Sequence, residues 1–226
     1  MAKARRKLTN LPVTPVPRDT LPDQIYRRTK DLILDGEIEP GQLVTIQGLA
    51  DAFGVSAMPV REALQRLIAE KALSVVSGRS VGLAELSGER LRDLRRVRLR
   101  IESLAAEWAA EQISNSDLKQ LTKLVATMDI AATDGDSHRY VRANREFHFT
   151  VYRASNSETL LSIIEGLWLQ VSPYFHLLHD SGNYADANEQ HKQVLNALRD
   201  RDGEAAGAYI RADIEAATEI LLDLLG

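Results

Sequence analysis

Residues 49–67 read Leu49-Ala50-Asp51-Ala52-Phe53-Gly54-Val55-Ser56-Ala57-Met58-Pro59-Val60-Arg61-Glu62-Ala63-Leu64-Gln65-Arg66-Leu67. Two helical patterns meet here. Leu49, Ala50 and Phe53 share one side of the first. Val60, Ala63, Leu64, Leu67 and Ile68 form the apolar stripe of the second. Gly54 supplies the left-handed stop that ends many helices. Ser56 is a natural N-cap, and Pro59 falls in a first turn, where its missing N–H does no harm. The spacing predicts helices over 46–53, capped by Thr45, and over 57–69. A turn as short as Gly54-Val55-Ser56 holds two such helices at a steep angle. The second helix can then enter a DNA major groove with its N-terminal residues toward the base edges. Those residues are Ser56, Ala57, Met58 and Arg61, with Gln65 and Arg66 following on the polar face. Arg61 suits a bidentate contact to guanine or a phosphate clamp.

Upstream, Ile25, Leu32 and Ile33 interleave with charges and predict an amphipathic helix over 23–34, stopped at Gly36. Downstream, two strands are expected at 73–77 and 81–85. Gly78-Arg79-Ser80 joins them and would lay Gly78 and Arg79 against the DNA backbone or minor groove. Residues 1–20 read as a flexible basic tail, with Lys3, Arg5, Arg6 and Lys7 followed by Pro12, Pro15 and Pro17. Residues 87–226 read as six helices, near 88–112, 116–132, 137–154, 157–178, 184–200 and 203–225. The expected fold is mainly α: an N-terminal winged helix-turn-helix over 21–86, then an all-α six-helix bundle over 87–226.

Composition agrees. Of 226 residues, 44% are hydrophobic, 27% charged and only 5% aromatic, as in a helical globular protein. Cysteine is absent, which excludes disulfides, zinc fingers and thiol catalysis. No apolar run is long enough for a membrane span, and no apolar segment follows the basic N-terminus as in a secretory signal. A cytoplasmic protein is the expectation. Residues 1–86 carry 12 basic and 10 acidic side chains, a net +2, whereas 87–226 carry 16 and 22, a net −6. The polyanion partner therefore belongs with the N-terminal part.

Three stretches carry a family resemblance: Gly36-Glu37-Ile38-Glu39-Pro40-Gly41, the run from Leu49 to Ser56, and Pro59-Val60-Arg61-Glu62-Ala63-Leu64-Gln65-Arg66-Leu67. Together they resemble the winged-helix domain of GntR-family transcription regulators. The resemblance implies operator DNA as partner and no catalysis. The family usually has an arginine after the serine and a threonine next, where this chain has Ala57 and Met58. Gln47 occupies a position that often contacts DNA. The resemblance therefore implies an operator unlike the common family sites.

A second constellation lies in the helical part. Asn144 and His148 are four apart and share a helix face. His191 and Asp213 are equidistant from the Arg201–Gly203 turn, so an antiparallel helix pair sets them at one height. Apolar neighbours suggest that all of them are buried. Such a set suits either a divalent-metal site in a bundle or a hydrogen-bonded core. Val97-Arg98-Leu99-Arg100-Ile101-Glu102, Asn144-Arg145-Glu146-Phe147-His148 and His191 with Leu195, Ala197 and Leu198 resemble the FCD ligand-binding domain of the FadR-like branch. That domain supplies an aspartate and three histidines to a metal. The matching positions here are Asn144, His148, His191 and Asp213. The resemblance thus implies a divalent metal, Zn, Mn or Ni, held by a harder ligand set. With histidine ligands, metal affinity is expected to fall below about pH 6, near the histidine reference value.

Arg98 either receives an effector carboxylate or forms a surface ion pair with Glu102. Trp168, Tyr152 and Tyr174 either line a pocket or belong to the core, and their helical spacing favours core. The function expected is a ligand-responsive transcription regulator. It binds operator DNA as a homodimer, answers to a small carboxylate effector and does not enter membranes. The alternative is a metal-dependent hydrolase built on the helical part. Glu146 points elsewhere on its helix, so that enzyme would lack an evident general base.

Overall fold

A computed structural model describes residues 19–78, 80–178 and 184–225. The basic tail up to residue 18, Arg79 and His179 lie outside the described residues.

The N-terminal part begins with α1 (Leu21–Leu34). It starts two residues before the expected boundary because Thr20 and Asp23 form a capping box. The Asp23 amide donates to Thr20 Oγ1 at 3.4 Å and the Thr20 amide to Asp23 Oδ2 at 3.2 Å. Thr45 caps α2 (Ile46–Phe53) by accepting from the Gly48 amide at 2.9 Å. Gly54 then turns the chain at φ 66°, the left-handed region open to glycine, and α3 (Ala57–Ala69) follows. Val60, Ala63, Leu64 and Leu67 bury the predicted stripe. Strands β1 (Val44–Thr45), β2 (Leu73–Ser77) and β3 (Ser80–Leu83) form an antiparallel sheet in the order β1-β3-β2. Val81 faces both Val44 and Val75. A strand as short as β1 leaves no alternation to detect, so it escapes sequence reading.

The C-terminal part comprises α4 (Gly88–Gln112), α5 (Asn115–Asp134), α6 (Ser137–Arg153), α7 (Glu158–Val171), α8 (Tyr184–Arg199) and α9 (Gly203–Leu225). One difference from the expected helices concerns 157–178. The α-helix ends at Val171 and continues as a 3₁₀ segment, Ser172–Leu178. Pro173 is the cause, since it has no N–H for the helical ladder and crowds the preceding turn. Ser114 caps α5, which begins at Asn115, one residue before the expected 116. Long helices α4 and α9 approach closely at Gly203 and Gly207. A Cβ on Gly203 would lie 2.8 Å from the Glu107 carbonyl oxygen, and one on Gly207 2.6 Å from Glu107 Oε1. No helix among the described residues is long and apolar enough to cross a membrane.

Ion pairs and hydrogen bonds among the described residues join the two parts. Arg145 of α6 pairs with Asp31 and Asp35 of α1, each at 2.7 Å. Lys30 of α1 pairs with Glu165 of α7 at 2.6 Å. The Tyr174 hydroxyl donates to the Ala84 carbonyl at 3.0 Å and accepts from the Leu86 amide at 3.2 Å, pinning the connecting segment.

Candidate functional site

The face formed by α2, α3 and the hairpin carries the residues expected to meet DNA. Ser56 opens α3 from extended backbone, but its hydroxyl makes no capping bond and is exposed. Met58 is 64% exposed, and Ala57 is half-buried beside it. Arg61, Gln65 and Gly78 line one groove of about 410 Å³ between α3 and the hairpin. Arg61 and Gln65 are exposed and have no partner among the described residues, so their donors are available. Gln47 is exposed on α2 and donates to Asp51 at 2.8 Å. Arg66 does not belong to this face. It pairs with Asp23 at 2.7 Å and stacks on Tyr26 at 3.8 Å, holding α3 to α1.

The second site lies where α4, α6, α8 and α9 meet. His148, His191 and Asp213 are buried, at 1%, 0% and 9% exposure. His148 Nε2 lies 3.2 Å from His191 Nε2 and 3.4 Å from Asp213 Oδ2. His191 Nε2 lies 3.5 Å from Asp213 Oδ1. The three residues can each offer one ligand atom to a common centre. Ligand atoms about 2.1 Å from a metal stand about 3.0 Å apart at octahedral right angles and about 3.4 Å apart in a tetrahedron. The observed triangle has edges of that size, so these residues fit a divalent ion. Asn144 does not join the triangle by any hydrogen bond but lines the same cavity, with its amide available as a further oxygen donor.

Burial dominates the electrostatics. It holds His191 down to about 3. Burial, then the neighbouring His191 and Arg98, hold His148 well below the ordinary histidine range. Burial pushes Asp213 up to about 7, against the pull of Arg98. In the metal-free protein both imidazoles are thus neutral, and the proton that competes with a cation sits on Asp213. The expected threshold near pH 6, assigned to histidine, is corrected accordingly.

Arg98 makes the ion pair with Glu102, at 2.5 Å from Nε, but the pair is buried and not on the surface. Glu102 also accepts from Tyr152 at 2.6 Å and Trp168 at 3.0 Å. Among the described residues no hydrogen bond engages Arg98 Nη1, and Arg98 borders the same cavity as His148, Asp213 and Trp168. The open space there is small, about 30 Å³, room for one or two waters. Sequence reasoning missed Glu102, Tyr152 and Asn188 as partners of this centre. The available signal was helical spacing, since Tyr152 follows His148 by four residues and Asn188 precedes His191 by three. Glu146 bonds to Gln120 and Arg153, away from the cluster.

Comparisons with known proteins agree with both halves. The sequence pattern of bacterial regulatory proteins of the gntR family matches residues 21–83, and that of the FCD domain matches 93–216. The HTH-type transcriptional regulator McbR of Escherichia coli (strain K12) is 32% identical over 184 residues, covering 80% of this chain and 83% of McbR. The solved structure of E. coli McbR/YncC superposes with a TM-score of 0.84 at 29% identity, covering 92% of this chain and all 100% of that one. A GntR transcriptional regulator from Rhodococcus sp. RHA1 shares the fold, with a TM-score of 0.73 at 21% identity over 89% of this chain and 97% of that one. The metal-free FCD domain of TM0439 shares the fold of the helical part, with a TM-score of 0.52 at 18% identity over 62% of this chain and 96% of that one. The chain therefore belongs to the gntR family of bacterial regulatory proteins, in the branch with an FCD domain, and is a ligand-responsive, DNA-binding transcription regulator.

Proposed function

We propose that this regulator holds a divalent metal, Zn, Mn or Ni, at His148, His191 and Asp213, with Asn144 as a further oxygen donor, and senses a small carboxylate there. The observation that carries this reading is the triangle of two Nε2 atoms and one carboxylate, 3.2–3.5 Å on a side, beside a buried arginine. A bound metal would supply open coordination positions for a carboxylate. Arg98, kept charged by Glu102 although burial opposes it, would neutralise the effector's remaining charge. Even acetate exceeds the open space, so binding requires the walls to move. Those walls include α6, which is tied to α1. Effector occupancy and the placement of the DNA-binding part are coupled in this way.

The proposed division of labour assigns 21–86 to DNA and 87–226 to effector and dimerisation. Gln47, Ser56, Ala57, Met58, Arg61, Gln65 and Gly78 face the operator, joined by Arg79. The regulator works as a homodimer, because one recognition helix reads too few base pairs to select an operator. The apolar residues Val97, Ile101, Leu104 and Trp108 recur along the outer face of α4. Val97 is 41% and Trp108 43% exposed, and Ile163 of α7 is 45% exposed.

The test uses full-length protein purified without chelator. Elemental analysis is expected to show metal near one equivalent per chain. Calorimetry with mono-, di- and tricarboxylic acids is expected to show binding that chelation abolishes. Metal below about a tenth of an equivalent, with melting indifferent to added Zn²⁺, Mn²⁺ or Ni²⁺, overturns the metal reading. Arg98→Ala is a poor probe, since it strands Glu102 as a buried unpaired charge. The double variant Arg98→Gln with Glu102→Gln removes both charges. It is expected to lose the carboxylate even at metal concentrations that saturate the site, while metal affinity itself falls because Glu102 also holds Tyr152.

A further inference from the structure

Two imidazole Nε2 atoms face each other at 3.2 Å, and a neutral imidazole carries one N–H that can sit on either nitrogen. Only the Nδ1–H form leaves an Nε2 lone pair free for a cation. We infer that Tyr152 with Glu102, and Asn188 with Asp129, are positioning residues that hold His148 and His191 in the Nδ1–H form, so that both Nε2 lone pairs point at Asp213. The inference rests on the metal reading above for its purpose, but its geometry stands on the hydrogen bonds alone.

Consider His148 first. Its Nδ1 lies 3.1 Å from the Tyr152 hydroxyl. A phenol has one hydrogen. Here it is committed to Glu102 Oε2 at 2.6 Å, a carboxylate that otherwise collects donors from Arg98 and Trp168. The phenol oxygen can therefore only accept from the ring, which places the hydrogen on Nδ1.

His191 repeats the logic with different residues. Its Nδ1 lies 3.3 Å from Asn188 Oδ1. The orientation of that amide is settled by its other end. Asn188 Nδ2 donates to the Val125 carbonyl at 3.1 Å and to Asp129 Oδ1 at 2.7 Å, both pure acceptors. Flipping the amide would set oxygen against oxygen at both. Asn188 is 0% exposed, so a flipped amide would oppose like atoms in the interior, where bulk solvent cannot relieve it. The ring must donate, and its hydrogen is again on Nδ1. Each histidine thus ends a chain that runs through one neutral acceptor to a carboxylate. The two chains come from different helices: Tyr152 lies on α6 and Glu102 on α4, Asn188 on α8 and Asp129 on α5.

The experiment reads tautomers directly in full-length, metal-free, ¹⁵N-labelled protein by long-range ¹H–¹⁵N correlation at neutral pH. Both rings are expected to show the Nδ1–H pattern. Tyr152→Phe removes only the hydroxyl and leaves Glu102 held by Arg98 and Trp168. It is expected to give a mixture of tautomers at His148 with His191 unchanged. Asn188→Leu, close in volume, is expected to do the converse. Each variant should weaken Ni²⁺ binding by about 10- to 100-fold, the usual effect of losing an outer partner of a ligand. A wild-type ring protonated at Nε2, or variants whose tautomers match the wild type, overturns the positioning roles whatever the metal does. Wild-type protein that shows Nδ1–H at both rings yet takes up no Ni²⁺, Zn²⁺ or Mn²⁺ overturns the metal reading instead.

Discussion

Metal uptake is expected to follow one proton, and that proton belongs to Asp213. The carboxyl is pushed up to about 7 by burial, with Arg98 opposing and Glu102 assisting, while His148 and His191 are already neutral. A cation and a proton compete for the same oxygens. Lowering pH through 7 fills the carboxyl and weakens binding; above 7 nothing competes and affinity levels off. With a single group at 7, affinity at pH 5 falls about 100-fold below the plateau at pH 8, or about 2.7 kcal/mol. Were the two histidines titrating at their ordinary 6.5, two protons would compete and the loss would be about 1000-fold. Ni²⁺ titration calorimetry between pH 5 and 8, repeated in buffers of different ionisation enthalpy, gives both affinity and protons released. Release of one proton below pH 7 is the expected result. Asp213→Asn should bind more weakly and flatten the profile. Release of two protons, or a midpoint near 6.5, would refute the assignment of the proton to Asp213.

Other consequences are simpler to check. Arg61→Ala should weaken specific operator binding by about 1–3 kcal/mol in fluorescence anisotropy at fixed salt, since its donors are unpartnered on the groove-facing side of α3; equal affinity would remove Arg61 from the interface. Gly203→Ala should lower stability by about 1–3 kcal/mol, because the new Cβ would sit 2.8 Å from the Glu107 carbonyl oxygen and 3.4 Å from its Cα, backbone that cannot swing aside. Gly166→Ala, with no atom within 4 Å, should instead gain about 0.5–1 kcal/mol, and a thermal melt that ranks the two the other way contradicts the packing described. Val97→Glu together with Trp108→Glu should yield monomer by light scattering at micromolar concentration, whereas a persisting dimer would place the interface elsewhere.

What could be read from sequence was punctuation and symmetry. Thr45, Gly54 and Pro59 are local signals whose effect does not depend on the rest of the fold, so α2, the turn and α3 fall where they were expected. The meeting of His191 with Asp213 follows from equal spacing about Arg201–Gly203, which needs only that two helices fold back on each other. What escaped depends on which helices become neighbours. Arg66 looks like any polar-face residue until α1 packs beside α3 and presents Asp23 and Tyr26. Glu102 lies on α4 and Asn188 on α8, and an acid or amide on a helix reads as solvated until other helices cover it. Their burial is a tertiary fact. Pro173 was visible, yet one proline in an apolar run does not say whether the helix kinks, stops or tightens.

Arg145 stands next to Asn144 in the chain but faces the other way, reaching Asp31 and Asp35. From α1, Arg66 carries the connection on to α3. The ion pairs along this route are open in part to solvent, with side-chain exposures from 21% for Arg145 to 58% for Asp31. Mobile ions screen such links, whereas they barely touch the buried cluster behind them. Rising salt should therefore disconnect sensor from reader before it empties the sensor. The ratio of operator affinities with and without effector should shrink toward one as salt increases, while effector binding itself holds. A ratio independent of salt would show that the signal runs through apolar packing instead. Ionic strength, through this route, would then set the gain of the response.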